Sequence, residues 1–185
     1  MAGMRKGQVF IIGALLFSSL MLMVFFATGN VVQGQSSSLF QDYYSQSFSE
    51  TATVFNQALE ESSDPEYIKR ELYSYDRFVE VRSNQKGIDY SSMNFFVMPQ
   101  KGKAVLINYQ DTSVEANVSF DGNPQNVSVG SGQWHEFSFT KGTVKVVLET
   151  DKPFIDTNFD TSSPRLVNYA RMARENEIWT NYRIH

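Results

Sequence analysis

Two histidines, no cysteine and a scatter of carboxylates make up most of the catalytic and metal-binding vocabulary of this 185-residue chain. His135 alternates with Phe137 and Phe139, which reads as a packing or rim position on a strand. His185 is the last residue and is expected to be mobile. Two such histidines without cysteine make no zinc set. Asp151, Asp156 and Asp160, with Asn158 among them, are hard oxygen donors of the kind calcium takes. The EF-hand spacing and a closing glutamate are missing, so a solvated acidic loop is the preferred reading. Gly130-Ser131-Gly132 lies between strand-like segments and reads as a hairpin turn. No nucleophile elbow, phosphate loop or dinucleotide fingerprint is present. The expectation is a non-enzymatic chain with no cofactor and no metal. Two N-x-S sequons, Asn117-Val118-Ser119 and Asn126-Val127-Ser128, offer the one covalent chemistry the motifs suggest: glycan attachment at Asn117 and Asn126.

The placement of charge is more telling. Lys and Arg number 16 against 20 Asp and Glu, a net charge of −4. Arg5 and Lys6 stand before a window, Gln8 to Gln41, that holds no charged residue, and every acidic residue follows it. The remainder is therefore more acidic than the whole, which argues against nucleic acid as a partner. Within the window, Val9 to Ala27 is a nearly unbroken apolar run. Its body is Val9, Phe10, Ile11, Ile12, Leu15, Leu16, Phe17, Leu20, Met21, Leu22, Val24, Phe25 and Phe26. As a helix the run spans about 29 Å, close to the hydrocarbon thickness of a bilayer. The preceding cations predict a cytoplasmic N-terminus and an exterior bulk. The partner this implies is the lipid bilayer, and the location is a cell membrane crossed once. A cleaved secretory signal, with Ala27 and Gly29 as a peptidase site, is the competing reading, but the run exceeds the usual signal core. Gly13, Ala14, Ser18 and Ser19 are small enough to let helices approach within the membrane, or are simply tolerated there.

Residues 29–38 are small and polar and read as a joint. Phe40, Tyr44, Phe48, Ala52, Phe55 and Leu59 then form one apolar stripe at helical spacing. The stripe can pack on the chain's own β domain, the preferred use, or face neighbouring subunits. A second helix is predicted to open at Asp64-Pro65-Glu66, with Asp64 as N-cap and Ile68, Leu72, Tyr75 and Val79 inward. Gly87 is its expected stop, although Arg77 to Ser83 alternates well enough to be a strand. From about Met93 the period becomes two. Strands are expected at Asn94–Met98, Ala104–Tyr109, Val114–Phe120, around Val127 and Val129, at Trp134–Thr140 and at Thr143–Glu149, with turns at Asp121-Gly122 and Lys141-Gly142. This is the pattern of an antiparallel sandwich or small open barrel. In the tail, Ser163-Pro164 is expected to start a short helix with Leu166, Tyr169, Ala170 and Ala173 inward. Ile178, Trp179 and Tyr182 would close it.

The junction Arg5-Lys6-Gly7-Gln8, followed at once by the apolar run, resembles the class III signal peptide of archaeal prepilins. The resemblance is confined to the leader and the anchor. It implies cleavage between Gly7 and Gln8 by a prepilin peptidase, retention of the helix as anchor, and association with other pilin-like subunits. Gln8 and Leu16 match the family's Q-x-S-x-E-x-x-x-L pattern; Phe10 replaces its serine and Ile12 its glutamate, the usual charge partner of a neighbouring amino terminus. The expectation is thus an α+β chain: residues 1–7 a basic leader, 8–30 a transmembrane helix, 31–90 a helical stalk region, 91–150 a small antiparallel β-sandwich, and 151–185 a short C-terminal helix or extended tail packed on it. Its expected role is that of a minor filament subunit or an envelope-linking component. A tethered extracellular binding module unrelated to pili is the alternative.

Overall fold

Alternating hydrophobicity from residue 89 onward builds two antiparallel sheets, and an amphipathic helical pair covers one of them. The computed structural model describes residues 41–175 and 177–185. Gly7, Gln8, the whole apolar run from Val9 to Ala27 and Phe40 lie outside the described residues. Among the described residues no helix is long and apolar enough to cross a membrane.

Two helices come first. The described part of α1 covers residues 41–61, and α2 is Pro65–Asn84. Asp64 caps α2 as its composition demands: the side chain accepts a hydrogen bond from the Glu66 N–H at 3.1 Å, and Pro65 occupies the first turn. The helix runs unbroken to Asn84, so Arg77 to Ser83 is helix and not strand. Gly87, at φ 67, takes the left-handed conformation that ends the segment.

Nine strands follow among the described residues: β1 (Asp89–Met98), β2 (Lys103–Tyr109), β3 (Val114–Phe120), β4 (Asn123–Val129), β5 (Trp134–Ser138), β6 (Val144–Asp151), β7 (Phe154–Thr161), β8 (Arg165–Arg174) and β9 (Glu177–Ile184). One sheet has the order β5-β2-β1-β8-β9 and the other β4-β3-β6-β7. Asp121 and Gly122, both at positive φ, make the two-residue turn that fixes the β3–β4 register. β1 and β4 each begin several residues earlier than alternation alone suggests.

The inner strands of the five-stranded sheet, β2, β1 and β8, are buried on both faces. Met93, Phe95 and Val97 of β1 point with Leu106, Phe137 and Val167 toward the second sheet and meet Val118, Phe120, Val146 and Leu148 there. Phe96 and Met98 point the other way, with Val105, Ile107 and Leu166, and are covered by Phe55 and Ala58 of α1 and Ile68 and Leu72 of α2. Each fully buried side chain of this size contributes roughly 1.5–3 kcal/mol. Tyr44, Phe48 and Phe55 of the α1 stripe are buried against the chain's own domain. Tyr44 donates to the Ala170 carbonyl at 3.2 Å.

The C-terminal third departs from expectation. The segment after Ser163-Pro164 is strand β8, not a helix, and residues 151–185 are not a tail laid on the domain. They supply three strands, and β8 is an interior strand of the larger sheet, between β1 and the edge strand β9. Leu166, Val167, Asn168, Tyr169 and Ala170 are all buried because both faces of β8 are covered. A strand buried on both sides loses its alternation, so its apolar spacing imitates a helix. His185 is not a free end: its N–H and carbonyl both pair with Leu166, at 2.8 and 3.1 Å.

Candidate binding cleft

The start of α2 and the edge strand β5 together frame a cleft of about 580 Å³, within the range of small-ligand sites. Capping by Asp64 fixes the first turn of α2. Helical spacing then sets Glu66, Lys69, Arg70 and Tyr73 along the wall of the cleft. Trp134 supplies the facing wall. It pairs with Ile107 across the sheet and so shares the helix-facing side of β5. With no helix directly over it, the indole stays 50% exposed.

The cations of the cleft rest on aromatic faces. The Lys69 ammonium sits 3.8 Å from the centre of the Trp134 ring and donates to Glu66. The Arg70 guanidinium lies 5.0 Å from the Tyr67 ring centre and is 3.5 Å from Glu71. The Tyr67 hydroxyl donates to Glu61, and that hydrogen bond pushes its pKa up. Tyr73 meets Tyr109 edge-on at 5.1 Å, and Tyr109 donates to Glu80 at 2.6 Å. Burial, then the Glu80 hydrogen bond, pushes Tyr109 up. Lys69 is nearly covered, so its stem is part of the packing, while Trp134 is half exposed along the cleft. The arrangement offers one flat apolar surface rimmed by hydrogen-bonding groups of both signs. Such a surface suits a ring-shaped polar ligand that stacks through its apolar face and hydrogen-bonds through its rim.

A second polar cluster lies beneath α2. Asp76 is fully buried; it accepts hydrogen bonds from Tyr90 and from Asn94 Nδ2, both at 2.7 Å. Asn94 in turn accepts from Asn168 Nδ2 at 2.6 Å, across the β1–β8 pair. Burial pushes the Asp76 carboxyl up to about 6; the Tyr90 hydroxyl, the nearby Ser92 and Asn94 hold it from rising further. This corrects the inward set of α2. The buried stripe is Ile68, Leu72, Asp76 and Val79, and Tyr75 is half-buried, donating to Glu50 at 3.0 Å.

The two sequon asparagines face each other. Asn117 on β3 pairs with Asn126 on β4, on the outer side of the four-stranded sheet. Asn126 is exposed. Asn117 is half-buried; its Nδ2 donates to Glu149 at 3.2 Å and its Oδ1 is covered. Asp151, Asp156 and Asp160 lie on β6 and β7, not in a loop. Asp156 and Asp160 are four residues apart on one strand, about 13 Å, too far to share one ion. Asp156 stands opposite Glu149 and Asp160 opposite Lys145. Among the described residues no group of three or more His, Cys, Asp or Glu is placed to hold a metal. His135 is exposed, its ring 4.8 Å from Phe137 and edge-on to it.

Alternation could have flagged the cleft: Trp134 falls in phase with Glu136 and Ser138, an aromatic among polar neighbours. The partner wall on α2 gave no comparable sign. Fold and cleft together define a class: a two-sheet antiparallel domain with a helical layer on one sheet and an aromatic, charge-rimmed cleft at that sheet's edge. Comparison with family models, with characterised proteins and with solved structures returns no match.

Proposed function

We propose that the chain is a membrane-anchored, non-enzymatic surface protein of pilin-like build, acting as a minor filament subunit or as a component that links a membrane assembly to the envelope. The observation that carries this reading is the order Gly7-Gln8, charge-free apolar run, helix seated on the chain's own β domain. The burial of Tyr44, Phe48 and Phe55 supports it, because a domain held on a helix in this way is carried outward by whatever anchors that helix. The test is mass spectrometry of the N-terminus of the native protein. A mature chain beginning at Gln8 is expected; one beginning at Met1 or Ala2 removes the pilin-like reading.

The Trp134 cleft favours a second reading, a tethered extracellular module that binds polysaccharide. A sugar ring has an apolar C–H face for the indole and hydroxyls for Glu66, Arg70 and Tyr73. Trp134→Ala is expected to weaken retention on a glycan array by at least about tenfold, in line with the loss of a central aromatic contact. Thermal stability should fall only moderately, since half of the ring is already exposed, and retention is compared where both forms are folded. Equal retention by the variant would remove this reading.

A further inference from the structure

Sheet edges are open hydrogen-bonding rows, and folded proteins ordinarily protect them. Three of the four edges in this domain carry a recognisable device. β5 is only five residues long, β4 contains Pro124, and β7 sets Asp156 and Asp160 outward. β9 is neither short nor broken by proline, and its two charges, Glu177 and Arg183, are of opposite sign and so do not repel a second copy. It is eight residues long and pairs with β8 alone among the described strands. It also holds three large exposed hydrophobics, Ile178 at 63%, Tyr182 at 39% and Ile184 at 43%. All three lie on the side that faces the second sheet, whose four strands do not reach far enough to cover them.

We propose that β9 is an interface for a second copy of this chain, joined edge to edge by antiparallel pairing of the two β9 strands about a two-fold axis at Thr180. Main-chain phase allows this register. The Leu166–His185 pair exchanges both its hydrogen bonds, so the alternation of an antiparallel ladder directs the odd-numbered residues of β9 toward β8. The N–H and carbonyl groups of Ile178, Thr180, Tyr182 and Ile184 therefore point to the open edge. Centring on Thr180 sets Thr180 against its own copy and Ile178 against Tyr182, each as a hydrogen-bonded pair. It also sets Glu177 against Arg183, twice by symmetry. Neither of these charges has an ion-pair partner among the described residues; Arg183 only overlies the Phe48 ring at 5.4 Å. Opposite charges and apolar pairs thus fall in register on the two faces of one self-complementary strand, as an isologous contact requires. The two five-stranded sheets become one continuous sheet.

Sedimentation of the full chain in mild detergent, with charge reversals on β9, tests the interface. The wild type is expected to be a dimer. Glu177→Arg and Arg183→Glu should each weaken it by about tenfold or more, because each places like charges opposite one another at two symmetric positions. The double reversal, Glu177→Arg with Arg183→Glu, should restore it. Since the chain has no cysteine, Thr180→Cys adds a single thiol, and mild oxidation should join two copies covalently. A monomeric wild type overturns the proposal. So does an oligomer that neither single reversal weakens, which would place the contact in the membrane-embedded segment, and so does a Thr180→Cys chain that stays uncrosslinked.

Discussion

Asp76 shows how one side chain can set the pH response of a domain. Its folded pKa, raised by burial to about 6 from an ordinary 3.8, means that the folded state holds a proton the unfolded chain has already released. The contribution to stability is therefore fully present below about pH 4, declines as pH rises and is lost above about pH 6, a loss of about 3 kcal/mol for a shift of this size. Asp76→Asn should abolish this dependence. The amide keeps an acceptor for Tyr90, and its Nδ2 can donate to Asn94 if that amide turns over. Asn94 would then donate to Asn168 once the Asn168 amide also turns over and brings its Oδ1, now without a hydrogen-bond partner, to face Asn94. Denaturant unfolding at about pH 4 and about pH 8 checks this: the variant should gain about 3 kcal/mol on the wild type between the two. A variant that loses ground at the higher pH would mean that the carboxylate is needed charged. Asp76 was within reach of the sequence, since 68, 72, 76 and 79 step by helical intervals. A carboxylate is nevertheless the last residue assigned to a core, because its burial depends on donors from β1 that no local pattern reveals.

At the scale of elements, α2 has both a stability role and a positional one. Its N-cap holds the first turn, and that turn carries Glu66, Lys69 and Arg70 into the cleft. Asp64→Ala is expected to cost about 1 kcal/mol, read as a lowered denaturant midpoint with an unchanged slope. It should also loosen Lys69 from the Trp134 ring, seen as a change in indole fluorescence. A lowered midpoint with unaltered fluorescence would separate the cap from the cleft. The cap was legible because its chemistry is local: Asp, Pro and Glu in succession satisfy or remove the first free N–H groups with no help from the fold. The same holds for the Asp121-Gly122 turn and for strands β3 and β6, each exposed on one face. β8 was not legible. Its neighbours β1 and β9 and the layers on both of its sides decide its burial, and all of them are distant in the chain. Leu166, Tyr169, Ala170 and Ala173 therefore satisfy a helical template that the sheet overrides.

The unit Tyr44–His185 is organised around the sheet that is covered twice. One apolar layer joins it to the second sheet, and another joins it to α1 and α2, so the helices are structural rather than appended. Among the described residues, every buried residue of these two layers lies within that unit. On the proposed reading, the oil-like composition of the charge-free window Gln8 to Gln41 calls for a hydrocarbon solvent. The two parts should therefore separate cleanly in solubility. A chain starting at Gln41 keeps Tyr44, Phe48 and Phe55 and is expected to remain in aqueous buffer and unfold in one cooperative transition. The full chain should sediment with membranes and require detergent for release, with washing at high salt or high pH leaving it bound, since hydrophobic insertion is not screened by ions. Release of the full chain by salt alone would mean that the apolar run is not inserted, and the surface role proposed for the domain would lose its anchor.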